Sequence, residues 1–199
     1  MGRAILTTSR ASVAVSRINA DADWHSAALL LTEYQRWLGR ELGLDLAAAQ
    51  PAAGAEFEDL ARFYRPPNGL LLVGFAQRRP AGIVGVHRLT GAVGELKRMY
   101  VTPWARGRGL GRTPVTEAFA ASGDLGFYEL RLQTKPDAMA HADRLYRELG
   151  FREIPSYADL GVHGVTALAL TSPDGPENTP VTTACGCPDG RHLCQADLL

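Results

Sequence analysis

The chain has 199 residues, with 21 acidic and 21 basic side chains and no formal net charge. That length supports one domain with a sizeable core and is short for two. The charge balance provides no bulk field to gather nucleic acid or an anionic membrane, so neither is expected as a partner. No apolar run approaches the roughly eighteen residues of a membrane-crossing helix, and Ile5-Leu6 is too short for a signal-peptide core. All three cysteines fall in the last fifteen residues, which leaves the body without a disulfide and agrees with a reducing, cytoplasmic setting.

Residues 1–11 lack periodicity and are expected to form a flexible leader to a domain spanning 12–171. Residues 12–18 alternate weakly and are rich in β-branched side chains, which predicts a first strand. Asp21 or Asp23 can then cap a helix whose apolar stripe runs through Trp24, Ala27, Leu31, Tyr34, Leu38 and Leu42. A small-residue linker over 47–54, a short helix near 56–64 and a turn at Pro66-Pro67-Asn68-Gly69 follow. Three β-rich runs come next, at 70–76, 82–88 and 95–101, the first two joined by a hairpin turn at Gln77-Arg78-Arg79-Pro80. A helix over 110–123 carries Pro114 in its first turn, where no intrahelical amide partner is lost. A strand at 127–133, a helix at 138–149 and a strand at 164–170 complete an α/β single domain. Its central sheet is expected to be mixed, mostly antiparallel and flanked by helices.

The segment from 172 onward is turn-rich and expected to be disordered. Its Cys185-x-Cys187 and His192-x-Cys194 could nominally supply four zinc ligands, but the spacings are not those of common fingers or ribbons, and no metal site is assigned.

The stretch Arg106-Gly-Arg-Gly-Leu-Gly-Arg112 carries the most chemistry. Gly107, Gly109 and Gly111 let a ligand approach the main chain, and the amides opening the next helix point outward with the helix dipole behind them. With Arg106, Arg108 and Arg112 around it, the loop suits a pyrophosphate. It lacks the Lys-Ser or Lys-Thr of a P-loop, and no acidic residue ends a strand about twenty positions later as dinucleotide-binding domains require.

The spacing Arg106-x-x-Gly109-x-Gly111 resembles the acyl-CoA pyrophosphate loop of the GNAT N-acetyltransferase superfamily. Downstream, Ala142-x-x-Leu145-Tyr146-x-x-x-Gly150-Phe151 is similar to that family's other hallmark, a helix that carries a tyrosine to the CoA thiol. The resemblance covers residues 12–171 and implies the GNAT fold and acetyl-CoA as acyl donor. By it, Gly107, Arg108, Gly109, Leu110, Gly111 and Arg112 hold the pyrophosphate with Arg106, while Met99, Tyr100 and Val101 line the pantetheine groove where their strand splays from the next. Met139 departs from the asparagine many relatives have, removing a polar contact to the cofactor there. Gly150-Phe-Arg-Glu-Ile-Pro-Ser-Tyr157 resembles a branch of undefined substrate.

Acetyl transfer to an amine needs the amine neutral although its pKa is about 10, so a positioned base is required, and the leaving thiolate benefits from a proton donor. The resemblance gives these roles to Glu95 and Tyr146. Each also has a plain reading, as a surface carboxylate paired with Lys97 and as a tyrosine packed on the sheet. His87, His141 and His163 are further bases to consider, and Tyr64 and Tyr157 could close an acceptor pocket. The chain thus reads as an acyl-CoA-dependent N-acetyltransferase acting on a primary amine of a small molecule or peptide, by direct attack in a ternary complex. A homodimer stays open. The alternatives are a non-catalytic acyl-CoA-binding module and an interaction protein acting through a metal-binding tail.

Overall fold

In a computed structural model, which describes residues 13–18, 21–45 and 51–173, the elements run in the expected order around one sheet. Strand β1 (Val13–Arg17) is followed by α1 (Asp21–Leu42), α2 (Pro51–Glu58) and α3 (Leu60–Tyr64). The strands β2 (Gly69–Ala76), β3 (Arg79–Thr90) and β4 (Val93–Val101) come next, then α4 (Arg112–Ser122), β5 (Glu129–Thr134), α5 (Ala140–Glu148), β6 (Arg152–Ile154) and β7 (Thr166–Thr171). The predicted leader, most of the tail with its cysteines and His192, and part of the linker lie outside the described residues, as do the side chains of Asp21 and Asp23.

Seven strands stand in the order β1-β2-β3-β4-β5-β7-β6. Every neighbouring pair is antiparallel except β4 and β5. That exception follows from the connection, because α4 carries the chain back across the sheet between them. The β2–β3 hairpin turns on Gln77 and Arg78 alone, both with positive φ (51° and 64°), so Arg79 and Pro80 belong to the strand. The single helix expected near 56–64 is two, broken at Asp59, whose side chain accepts from the Arg62 amide and caps the second.

Alternation along the strands divides the core. On one face α4 and α5 bury Val115, Ala118 and Tyr146 against Leu70, Val84, Leu96, Leu130 and Leu132. On the other, α1 and α3 bury Ala27, Leu31 and Tyr64 against Leu71, Val73, Ile83 and Tyr100. Each fully buried side chain of this kind contributes about 1.5–3 kcal/mol, which fixes strand register as well as stability. Gly85 lets Tyr64 lie on the sheet, since a Cβ there would stand 2.4 Å from the ring. Among the described residues, no helix is long and apolar enough to cross a membrane.

Two irregularities place the site. Strands β4 and β5 pair only from Val93–Glu129 to Glu95–Arg131 and then part, so the rest of β4 has no strand beside it on that edge. On its other edge, between the pairs Lys97–Gly85 and Tyr100–Ile83, β4 has two residues where β3 has one. Arg98 takes up the extra residue with φ of 59°, a bulge that bends the strand where it leaves β5.

Candidate acyl-transfer site

Beyond the splay, the chain turns through a short 3-10 segment (Pro103–Ala105) into the glycine loop. Gly107 and Gly109 adopt φ of 74° and 89°, which side-chain-bearing residues rarely reach. The amides of Gly107 through Arg112 donate to no other described backbone group, and the first to be satisfied is Thr113, which bonds the Gly109 carbonyl at 3.1 Å. These amides cluster at the amino end of α4, where orphan donors and the helix dipole favour an anion. The loop is seated by Leu110, which is buried and packs over Gly74.

The arginines around the loop differ. Arg108 is exposed and makes no hydrogen bond, ion pair or ring contact with another described group. Arg112 pairs with Glu148 at 2.6 Å on the surface. Arg106 turns toward α1, bonding the Val101 carbonyl at 3.2 Å and lying over the Trp37 ring.

The two sequence motifs meet at the splay. A Cβ on Gly111 would lie 3.2 Å from Leu145 Cδ2 and 4.0 Å from Met99 Cε, so the loop, the end of β4 and α5 converge. Next to Leu145 stands Tyr146, buried and edge-on to Phe151, its hydroxyl donating to no described residue. Burial, with a smaller push from Tyr34, raises its phenol well above the ordinary range. Tyr100 turns to the α1 face instead, where its hydroxyl donates to Glu33 at 2.9 Å and burial pushes it up to about 12.

On the α1 face a cleft of about 430 Å³ opens over the gap. Its floor is Glu95 to Arg98 of β4, and its walls are Tyr34 and Leu38 of α1, Gln133 and Thr134 at the end of β5, Met139, and the segment from Tyr157 to Val165. Glu95 is the charged centre. Tyr157 donates to its Oε1 at 3.0 Å, while Lys97 Nζ and His87 Nε2 lie 3.1 and 3.3 Å from its Oε2. Burial works to raise this carboxyl, but the His87 hydrogen bond and the Lys97 charge outweigh it and hold it at about 2.

Behind Glu95 lies a second carboxylate. Glu56 is buried and receives Arg98 Nε and Nη2 at 2.8 Å each, the Tyr64 hydroxyl at 2.5 Å and, more loosely, Lys97 at 3.8 Å. The bulge explains how two consecutive β4 residues reach one acid, since without it Lys97 and Arg98 would point to opposite faces.

The polar inventory of the cleft is incomplete at one place. Gln133 Oε1 and Thr134 Oγ1 are buried without a described hydrogen-bond partner, and both line the opening. They belong to the segment of β5 that has left β4.

A known family matches this arrangement. The model of the Acetyltransferase (GNAT) family matches residues 31–151, most of the described chain. The chain belongs to the GNAT acetyltransferase family. Over 161 residues it is 32% identical to the uncharacterized N-acetyltransferase C1271.07c of Schizosaccharomyces pombe, covering 80% of this chain and 94% of that one. Among solved structures, a GNAT-family acetyltransferase of Staphylococcus aureus superposes with a TM-score of 0.64 at 18% identity, over 80% of this chain and 99% of that one. The PaiA N-acetyltransferase of Thermoplasma acidophilum, solved with coenzyme A, gives 0.62 at 16% identity over 80% and 99%. These two likenesses concern the GNAT fold.

Of the histidines considered, His87 joins Glu95, whereas His141 and His163 are exposed and make no described side-chain bond to Glu95. Tyr157 lines the cleft, while Tyr64 is committed to Glu56. Glu56, Arg98, Gln133 and Thr134 escaped the sequence reading. Glu56 sits in a segment of small residues with no local signal, and a bulge leaves no trace in a strand's composition.

Proposed function

We propose that this GNAT-family chain is an acyl-CoA-dependent N-acetyltransferase that moves an acetyl group from acetyl-CoA to a primary amine of a small molecule or peptide, by direct attack in a ternary complex. The observation that carries the reading is the run of unpartnered amides from Gly107 to Arg112, continuous with the unpaired edge of β4. Those amides fit a pyrophosphate, with Arg108 free to add charge, and Met99 to Val101 fit an extended amide-bearing arm laid along the strand. The relative solved with coenzyme A supports the same choice of ligand.

The residues at the gap divide the chemistry. As the new C–N bond forms and the C–S bond breaks, the amine must lose a proton and the thiolate gain one. Tyr146 remains a neutral phenol at neutral pH and supplies the second proton. Glu95 stays ionised and draws the acceptor's ammonium group into the cleft. A carboxyl held at about 2 is a weak base, so Glu95 acts by orienting the amine and passing its proton through water toward His87 and solvent. Direct attack is supported by a described domain with no cysteine to form an acyl-enzyme. A cytoplasmic location belongs to the same proposal, in keeping with that cysteine-free body.

The test is thermal-shift and calorimetric titration of the wild type and Gly109→Asp with acetyl-CoA and CoA, followed by thiol release with a panel of amines. Stabilisation by both CoA species that is lost in the variant, with amine-dependent thiol release lowered by Tyr146→Phe, is expected. No response to CoA would overturn the reading.

A further inference from the structure

We infer that the acceptor is a primary amine carrying a single cationic nitrogen on an apolar or aromatic arm, taken in preference to polyamines and amino sugars. The inference deepens the acyl-transfer reading and rests on it.

The lining of the cleft is the first ground. Leu44, Leu89, Met139, Leu160, Val162 and Val165 are half-buried and turned into it, with the rings of Tyr34 and Tyr157 beside Glu95. Residues from four separate segments thus present hydrocarbon to one space of about 430 Å³, enough for a small amine and its arm. Each methylene an acceptor buries there strengthens binding by about fourfold.

Charge is the second ground. Lys97, Arg98 and Lys135 line the cleft with Glu95 and Asp159, and Glu56 stands behind Arg98, so three cations meet three anions. Most are already spent on one another. Glu56 is taken by Arg98, and Glu95 shares Lys97. At the rim, Lys135 donates to the His163 carbonyl and Asp159 accepts from the Gly161 amide. A second ammonium on the acceptor would give up its hydration where Glu95 and Glu56 are already paired, and would find a carboxylate without a cation only in exposed Asp159 at the rim.

The third ground places the nitrogen. Glu95 pairs with Arg131 across the last rung of the β4–β5 ladder, and Gln133 lies two residues further along β5 on the same side. Its Nε2 is held by Ala158, which leaves the buried Oε1 as an acceptor with nothing to accept. An ammonium between Glu95 and Gln133 would satisfy that oxygen and stand over the gap.

Thiol release from acetyl-CoA would be measured with isopentylamine, phenethylamine and 4-phenylbutylamine against putrescine, spermidine and glucosamine, alongside the thermal shift each amine gives in the presence of CoA. The apolar monoamines should show kcat/KM at least about tenfold above putrescine, rising with arm length, and should be the amines that stabilise the protein. Gln133→Leu should raise KM for the monoamine while leaving the CoA thermal shift intact, and Val162→Asp should narrow the gap to putrescine. A best acceptor among the polyamines or amino sugars, with the CoA response present, would overturn this inference and leave the acyl-transfer reading standing. Absence of a CoA response would overturn that reading, while the amine thermal shifts would still show which class the cleft prefers.

Discussion

Tyr157 Oη donates to Glu95 Oε1 at 3.0 Å across 62 residues of sequence, tying the loop before β7 to the last residue of β4 that pairs with β5. The contact seats one wall of the cleft against its floor. It also makes the carboxylate a joint between two segments that no strand pairing connects. Tyr157→Phe should therefore change acceptor KM more than kcat, by roughly ten- to a hundredfold for one hydrogen bond to a charged group. Steady-state kinetics at saturating acetyl-CoA would show it, and an unchanged KM would mean that the loop is held without this bond.

Acid should unfold the protein through Glu95. Its carboxyl is held at about 2 when folded, against 4.5 when free, so the folded pKa is depressed. The stability it provides is fully present above about pH 5 and is lost as pH falls toward 2, amounting to roughly 3 kcal/mol. Glu56, also lowered, works in the same direction. Replacing His87 with alanine should move the acid-unfolding midpoint upward in circular dichroism. A midpoint that does not move would show that Lys97 and Tyr157 suffice.

The ion pair behind the cleft should be strongly coupled. Arg98→Met leaves Glu56 buried with only the Tyr64 hydroxyl and a 3.8 Å contact to Lys97, and should cost about 3–5 kcal/mol. Glu56→Leu with Arg98→Met removes both charges and should recover at least ~2 kcal/mol of that loss. Urea denaturation of the two single variants and the double closes the cycle, and additive losses would refute the coupling.

Thr134 offers a substitution that stabilises. Its hydroxyl is buried and unpartnered, so Thr134→Val should raise stability by about 1 kcal/mol, or about 2–4 °C in Tm for a chain of this size. Thr134→Ser keeps the hydroxyl and should give no such gain. Calorimetry of the ligand-free protein compares the two, and a lower Tm for the valine variant would show that the hydroxyl is satisfied after all.

Tyr146→Phe separates chemistry from binding. Loss of a general acid costs on the order of a hundredfold in kcat, while the thermal shift with CoA should persist. A variant that loses both would assign Tyr146 to packing against Phe151.

The architecture was legible because its signals are local. The apolar, β-rich runs of β2, β3 and β4, the stripe of α1 and the glycine run before α4 each report a local composition, a repeat or a backbone need within a few residues. Strand β6 was not legible, since Arg152–Ile154 is three residues long and pairs only through β7. The candidate site was legible in part. Glu95 and Tyr146 stand in or beside motifs, but the partners that set their properties come from far along the chain, as Tyr157, His87 and Glu56 show. Their side chains meet only after the sheet is assembled, and no spacing rule connects them.

Strand β4 reads Glu95-Leu-Lys-Arg-Met-Tyr100, and with Arg98 struck out its remaining residues alternate between the two faces without a fault. Arg98 is thus a supernumerary residue in an otherwise regular strand. What it adds is a matter of length rather than identity, because any residue inserted there would force the same mismatch against β3. Here one extra residue bends the sheet away from its neighbour and is anchored by Glu56, so a single codon's worth of surplus chain is tied to the gap in which the proposed reaction would occur.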